Sequence, residues 1–344
     1  MDVSAFDYTL PKELIAQRPC QRRDQSRMMV VERTSGQIIH SRFAAIGDYF
    51  SQGDILVLNT SRVIPARIWG QTQDGREVEF LFLKEAEKGV WKVLCRPAKK
   101  IMPGAKIHFA EDFSGEVIAA GPEGTRTIRL SSSDVVGRLK AFGYAPLPPY
   151  IQRKKNDEQL RELDRERYQT VFARKDGSIA APTAGLHFTR EILAALEQRG
   201  VQVCPISLDV GWATFQPVRV ARVEEHRMLE ETYEIPVETA RALTEGKREG
   251  RCVTAVGTTC VRALESAWES GRFRAGRSAT DLFIFPGYRV QAVDRLLTNF
   301  HLPKSTLLML VSAFAGIDLI KRAYREAVEH RYRFYSYGDC MLIL

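Results

Sequence analysis

Gly115-Glu116-Val117-Ile118-Ala119-Ala120-Gly121-Pro122-Glu123-Gly124-Thr125-Arg126-Thr127-Ile128-Arg129-Leu130 holds two short β-type runs on either side of a Gly-Pro-x-Gly turn signal. Working outward, residues 78–83, 90–95 and 106–109 repeat the pattern, with Asp74-Gly75 and Pro103-Gly104 among the breaks. Short strands at this spacing, with little helical periodicity between residues 67 and 130, predict a small barrel or sandwich. Pro146-Leu147-Pro148-Pro149 ends the module with a stiff, extended exit.

On both sides of that module the pattern changes to α/β. Residues 55–58, 201–208, 251–256 and 281–285 read as strands. Residues 191–199, 261–269, 306–315 and 319–329 read as helices; Gly200 stops the first and Asp318 caps the last. The expected fold is α/β: a large mixed α/β domain built from both chain ends (1–66 and 147–344), with a small all-β barrel domain inserted at 67–146. No internal repeat is visible.

The 344 residues suffice for a sizeable core, and 44% hydrophobic with 27% charged residues is an ordinary globular balance without low-complexity tracts. The apolar run at 307–317 is too short to span a bilayer, and Met1-Asp2-Val3-Ser4 opens no basic-then-apolar leader. A soluble, cytoplasmic protein is the expectation. Six cysteines lie far apart, with no CxxC and no HExxH, which fits reduced thiols and argues against a structural metal.

The net charge is +8, with arginine the main contributor. Basic residues cluster at Arg18, Arg22, Arg23 and Arg27, at Lys99 and Lys100, at Arg153, Lys154 and Lys155, and at Arg272, Arg274 and Arg277. Arg331 and Arg333 alternate with Tyr332, Phe334, Tyr335 and Tyr337, a mixture able to hold phosphates and stack bases. The bland counterpart is a solvated basic face that binds no nucleic acid.

Four polar segments stand beside apolar strands. Thr298-Asn299-Phe300-His301-Leu302-Pro303-Lys304-Ser305-Thr306 packs an amide, an imidazole, an ammonium and a hydroxyl ahead of an apolar helix that Ser305 can cap. It reads equally as a capped turn or as a ligand site. Gly257-Thr258-Thr259, with Arg262 one turn on, joins a strand to a helix whose free N–H groups favour an anion. Residues 181–189 contain Thr183 and His187 among small residues, and Asn59-Thr60-Ser61-Arg62 follows a strand. Gly211-Trp212-Ala213-Thr214-Phe215 is a further turn after a strand. There is no P-loop, no Rossmann glycine fingerprint and no Gly-x-Ser-x-Gly elbow. Polar loops at strand ends on a basic chain suit positioning and electrostatic catalysis on a charged substrate.

Taken in order, these motifs resemble the S-adenosylmethionine:tRNA ribosyltransferase-isomerase family of the queuosine pathway. The matching stretches include Phe6-Asp7-Tyr8, Leu58-Asn59-Thr60-Ser61-Arg62-Val63-Ile64-Pro65-Ala66-Arg67, Pro146-Leu147-Pro148-Pro149-Tyr150-Ile151, Glu166-Arg167-Tyr168-Gln169-Thr170-Val171-Phe172, and residues 181–188, 256–266, 280–287 and 297–310. The resemblance implies an α/β domain with an inserted barrel. It also implies transfer and isomerisation of the ribosyl unit of S-adenosylmethionine onto 7-aminomethyl-7-deazaguanine at the wobble position of GUN-anticodon tRNA. The products are epoxyqueuosine-tRNA, adenine and methionine. No metal or redox cofactor is implied; S-adenosylmethionine is consumed as substrate, and no obligate protein partner or membrane is evident.

From that chemistry His187 or His301 is expected as general base and Asp281 as a balancing carboxylate. Thr258, Thr259 and Arg262 would take a carboxylate or phosphate. Asn59, Arg62, Thr183, Asn299, Lys304 and Ser305 would position substrate, and Arg18, Arg23, Arg27, Arg153, Lys154, Arg331 and Arg333 would meet the tRNA. Two positions depart from the family pattern: Asp209 and Leu229 stand where histidines are usual. They keep open a catalytically altered or inactive tRNA-binding relative. An ordinary methyltransferase is the third reading, weakened by the lack of a glycine-rich first βα turn.

Overall fold

The computed structural model describes residues 1–154, 157–211 and 218–344. Lys155, Trp212, Ala213, Thr214 and Phe215, singled out above, lie outside the described residues. The chain begins with Arg27–Val31 (β1), Ile38–Arg42 (β2), Ile55–Asn59 (β3) and Ser61–Val63 (β4). It continues through Arg67–Thr72 (β5), Glu77–Glu87 (β6), Val90–Arg96 (β7), Lys106–Ala110 (β8), Phe113–Ala120 (β9), Thr125–Leu130 (β10) and the helix Val135–Phe142 (α1).

Strands β5 to β10 close into a barrel in the order β10-β7-β6-β5-β8-β9, every pair antiparallel. Alternation of side chains explains the closure. Along β10, Ile128 and Leu130 are buried while Thr127 and Arg129 are not, and Phe80, Phe82, Val93, Phe113 and Val117 fill the interior. All five strands expected in this module are present. β5, which was not foreseen as a strand, bridges β6 and β8 and completes the ring.

The rest of the chain gives Glu158–Arg167 (α2), Lys175–Ser178 (β11), Arg190–Gln198 (α3), Gln202–Leu208 (β12), Glu231–Ile235 (β13), Val237–Arg248 (α4) and Val253–Val256 (β14). Then follow Thr258–Ala267 (α5), Trp268–Glu269 (β15), Arg272–Phe273 (β16), Gly276–Thr280 (β17), Arg295–Asn299 (β18), Thr306–Ala315 (α6), Ile317–Glu329 (α7) and Cys340–Ile343 (β19). Among the described residues the large sheet has nine strands, ordered β17-β13-β12-β3-β14-β18-β19-β1-β2. Its centre, β12-β3-β14-β18, is parallel, and both flanks begin with antiparallel pairs.

Strands β1, β3, β14 and β19 are apolar almost throughout because both faces are covered. Met29, Val31, Ile55, Val57, Val253, Ala255, Met341 and Ile343 share one core with α4 to α7. Their alternate neighbours Met28, Val30, Leu56, Leu58, Val256, Cys340 and Leu342 pack with Phe43, Ile46, Phe188 and Leu196 on the other side. Among the described residues no helix is long and apolar enough to cross a membrane.

Three expectations need correction. Residues 281–285 are not a strand; the edge strand is β17, which pairs with β13 through backbone groups. The apolar 282–285 run is used for packing instead, with Ile284 buried in the core and Phe283 stacked edge-on to His226. Helix α5 begins at Thr258, three residues earlier than expected, because Gly257 at φ 90° turns the chain directly off β14. Helix α7 starts at Ile317 after Gly316, also at positive φ, so Asp318 sits in the first turn and is not the cap.

Candidate active site

The parallel strands β12, β3, β14 and β18 all end on one edge of the sheet, where open α/β sheets gather ligands. A cavity of about 280 Å³ opens there, lined by Thr183, Gly257, Thr258, Thr259, Asn299, His301, Lys304, Ser305, Tyr150, Tyr335 and Ser336. Segments 181–184, 257–259 and 299–305, far apart in the chain, thus share one wall.

Helix α6 fixes the last of these segments. The Ser305 hydroxyl accepts from the Leu308 N–H at 3.2 Å and donates to the Leu302 carbonyl at 2.8 Å, so Ser305 caps the helix and also lines the cavity. Lys304 adopts a left-handed φ of 55°; its N–H reaches the Phe6 carbonyl and its Nζ lies 2.6 Å from Asp7 Oδ2. Tyr335, also on the wall, holds φ 71°, costly for an aromatic residue. Two such conformations on one cavity are the pattern of a functional surface.

His301 is buried, with Nε2 at 2.8 Å from Thr298 Oγ1 and its carbonyl accepting from the Tyr8 hydroxyl. Burial pushes its imidazole down to about 3, so the ring is neutral at pH 7. His187 lies behind this wall. Its Nδ1 is 2.7 Å from Ser26 Oγ and its Nε2 is 3.2 Å from Asn299 Nδ2. Burial, then the charges of Arg23 and Arg333, lower it to about 3 as well.

The N-terminus of α5 lies on the cavity at Gly257, Thr258 and Thr259, and the buried Thr259 Oγ1 has no hydrogen-bond partner among the described residues. Arg262 does not reach the cavity. It is ion-paired with Glu231 inside the protein and donates to the Leu282 and Thr280 carbonyls. Glu231 in turn accepts from the Gly211 N–H at 2.8 Å. Burial raises the Glu265 carboxyl, which accepts from the Gln291 and Ala292 N–H groups and from Tyr288.

Other sequence candidates lie elsewhere. The Asn59 amide is occupied by Leu208 and Ser61 backbone groups, tying β3 to β12. Arg62 lies on a separate polar groove, donating to the Ala173 carbonyl. Asp281 is exposed and off the cavity wall. Asp209 accepts from Ser61 Oγ at 3.3 Å, and burial raises its carboxyl; Leu229 is exposed.

The basic residues divide in two. Arg23 donates to the Leu186 and Glu166 carbonyls, and Arg27 to Asp339 and the His330 carbonyl. Arg153 forks onto Asp164, and Arg333 reaches the Arg18 carbonyl and Cys20 Sγ. Arg18, Lys154 and Arg331 are exposed. The aromatics of 332–337, read as base-stacking groups, are instead buried: Tyr332, Phe334 and Tyr337 belong to cores, and only Tyr335 of the four lines the cavity. Arg27 stacks on Tyr332 at 4.1 Å. Tyr150 and Ser336, joined by a 2.7 Å hydrogen bond, were missed because a tyrosine after prolines and a lone serine give no local signal.

The family model described as "Queuosine biosynthesis protein" matches residues 3–343. A relative from Thermotoga maritima named S-adenosylmethionine:tRNA ribosyltransferase-isomerase is 48% identical over 345 residues, covering 100% of both chains. One of the same name from Symbiobacterium thermophilum is 51% identical over 348 residues, again covering 100% of both. The crystal structure of the S-adenosylmethionine tRNA ribosyltransferase from Thermotoga maritima superposes with a TM-score of 0.56 at 39% identity, covering 99% of this chain and 100% of that one. An inserted barrel, a cavity at the parallel strand ends and a match along nearly the whole chain agree, and the chain belongs to the queuosine biosynthesis protein family.

Proposed function

We propose that this chain moves the ribosyl unit of S-adenosylmethionine onto 7-aminomethyl-7-deazaguanine at the wobble position of GUN-anticodon tRNA and isomerises it to the epoxyqueuosine product, releasing adenine and methionine. The full-length match to relatives of that name carries the reading. The reaction needs no resident cofactor, because the sulfonium of S-adenosylmethionine itself acidifies the adjacent ribose carbon. What the protein must add is a base, an anion site and an enclosure.

The cavity offers each. His301 is the histidine on its wall and takes the base role; burial keeps it neutral but also makes it a weak base, so the acidity of the proton must come from the sulfonium. The α5 N-terminus with Thr258 and Thr259 takes the methionine carboxylate, and Lys304 and Ser305 line the same cavity. Arg262 acts from behind, holding α5 against the 280–282 segment.

Single-turnover release of adenine from S-adenosylmethionine, with tRNA bearing the aminomethyl base, tests this. Wild type is expected to release adenine and methionine, and His301→Gln to slow release by about 10²–10⁴-fold. A near wild-type rate in the variant sinks the base assignment. Formation of S-adenosylhomocysteine in place of adenine sinks the reaction itself.

A further inference from the structure

The Asn299 amide is held in one orientation by two carbonyls, which can only accept. Its Nδ2 faces the Tyr335 carbonyl at 3.2 Å, the Asp339 carbonyl at 3.3 Å and His187 Nε2 at 3.2 Å. Turning the amide over would set its oxygen against two carbonyl oxygens, so the orientation follows from the backbone. That leaves Oδ1 on the other side, buried and without a hydrogen-bond partner among the described residues, in a side chain only 2% exposed. Asn299 is a wall residue of the cavity. An orphaned buried acceptor is costly unless something donates to it.

Because Asn299 Nδ2 donates to His187 Nε2, that nitrogen is the acceptor, and the proton sits on Nδ1, which faces Ser26 Oγ. Ser26 passes its own proton to the Arg23 carbonyl. Donation therefore runs in one direction, from Asn299 on the cavity wall through His187 and Ser26 to the Arg23 carbonyl.

Building on the reading of the cavity as the ribosyl-transfer site, we propose that Asn299 Oδ1 accepts a hydrogen bond from an N–H or O–H of the bound substrate, and that His187 is a positioning residue that locks this amide and does not act as the base. Both imidazole nitrogens are already engaged, and the ring stacks on Phe43 at 5.4 Å, away from the cavity wall.

The test uses full-length protein, S-adenosylmethionine and tRNA carrying the aminomethyl base, with adenine release and thermal unfolding measured together. In His187→Gln the side-chain oxygen can still accept from Asn299. This variant is expected to keep kcat within about tenfold of wild type, whereas His187→Phe, which removes the acceptor, loses about a hundredfold. Asn299→Leu is expected to weaken S-adenosylmethionine binding at least tenfold in equilibrium dialysis. Equal loss in the Gln and Phe variants overturns the positioning role, as does full activity in the Phe variant. Should the Phe variant not fold, Ser26→Ala replaces it, expected to lower kcat several-fold with KM for tRNA unchanged; no change in either overturns the chain. Failure of wild type to release adenine would instead strike the underlying reaction.

Discussion

His187 and His301 enter the protein with the same side chain and the same degree of burial, yet only one meets the cavity. The difference is in their hydrogen bonds. His301 uses one nitrogen on Thr298, whereas His187 is bracketed by Ser26 and Asn299. Both are neutral inside the fold, lowered from 6.5 to about 3. The unfolded chain therefore binds more protons between those values. Their contribution to stability is complete above pH 6.5 and is lost as pH falls through that window, by up to about 1.4 kcal/mol per pH unit for each ring. Urea midpoints measured from about pH 7 to pH 5 should fall accordingly, and His187→Gln and His301→Gln should each flatten the slope. Equal slopes in all three proteins would place the acid sensitivity elsewhere. Two histidine candidates could be picked from the sequence, but which of them lines the cavity depends on neighbours more than a hundred positions away.

At the level of elements, strand–loop–helix junctions line the cavity. Ser305 and the 306–315 helix could be read locally because an N-cap needs only a hydroxyl three residues before an N–H. Arg262 could not. From spacing it is a basic residue one turn into a helix that faces an anion, and in the fold it is a buried strut between α5, β13 and the segment after β17. Arg262→Met removes the guanidinium from the buried Glu231 carboxylate, and should cost about 3–5 kcal/mol. Denaturant unfolding checks this; a loss below about 1 kcal/mol would mean that water reaches the pair. The missed edge strand β17 has the same cause, since its polar residues earn their strand conformation from pairing with β13 alone.

Across the whole molecule, a net charge of +8 favours a polyanion, but only part of that charge is presented outward. Arg23, Arg27 and Arg333 stitch distant segments together and Arg153 is tied to Asp164, while Arg18, Lys154 and Arg331 face solvent. tRNA binding should weaken linearly in log Kd against log salt. Arg18→Ala, Lys154→Ala or Arg331→Ala should reduce that slope by about 0.7 for each contact removed. Arg27→Ala should lower the melting temperature more than it changes the slope. Unchanged slopes in all three exposed variants would move the RNA surface to another face.

The sequence by itself determined five of the six barrel strands, the capped helix α6, three of the four parallel core strands and the family, because period, turn chemistry and long ordered motifs are local or linear properties. Only the tertiary structure decided which polar residues converge. Thr183, Thr258, Asn299 and His301 meet because four parallel strands end on one edge, and Asn59, Arg62, Arg262 and Asp281 do not share that cavity. A side chain's task depends on which donors and acceptors reach it across the fold. Sheet order and strand register decide that, and neither is a local property of the chain.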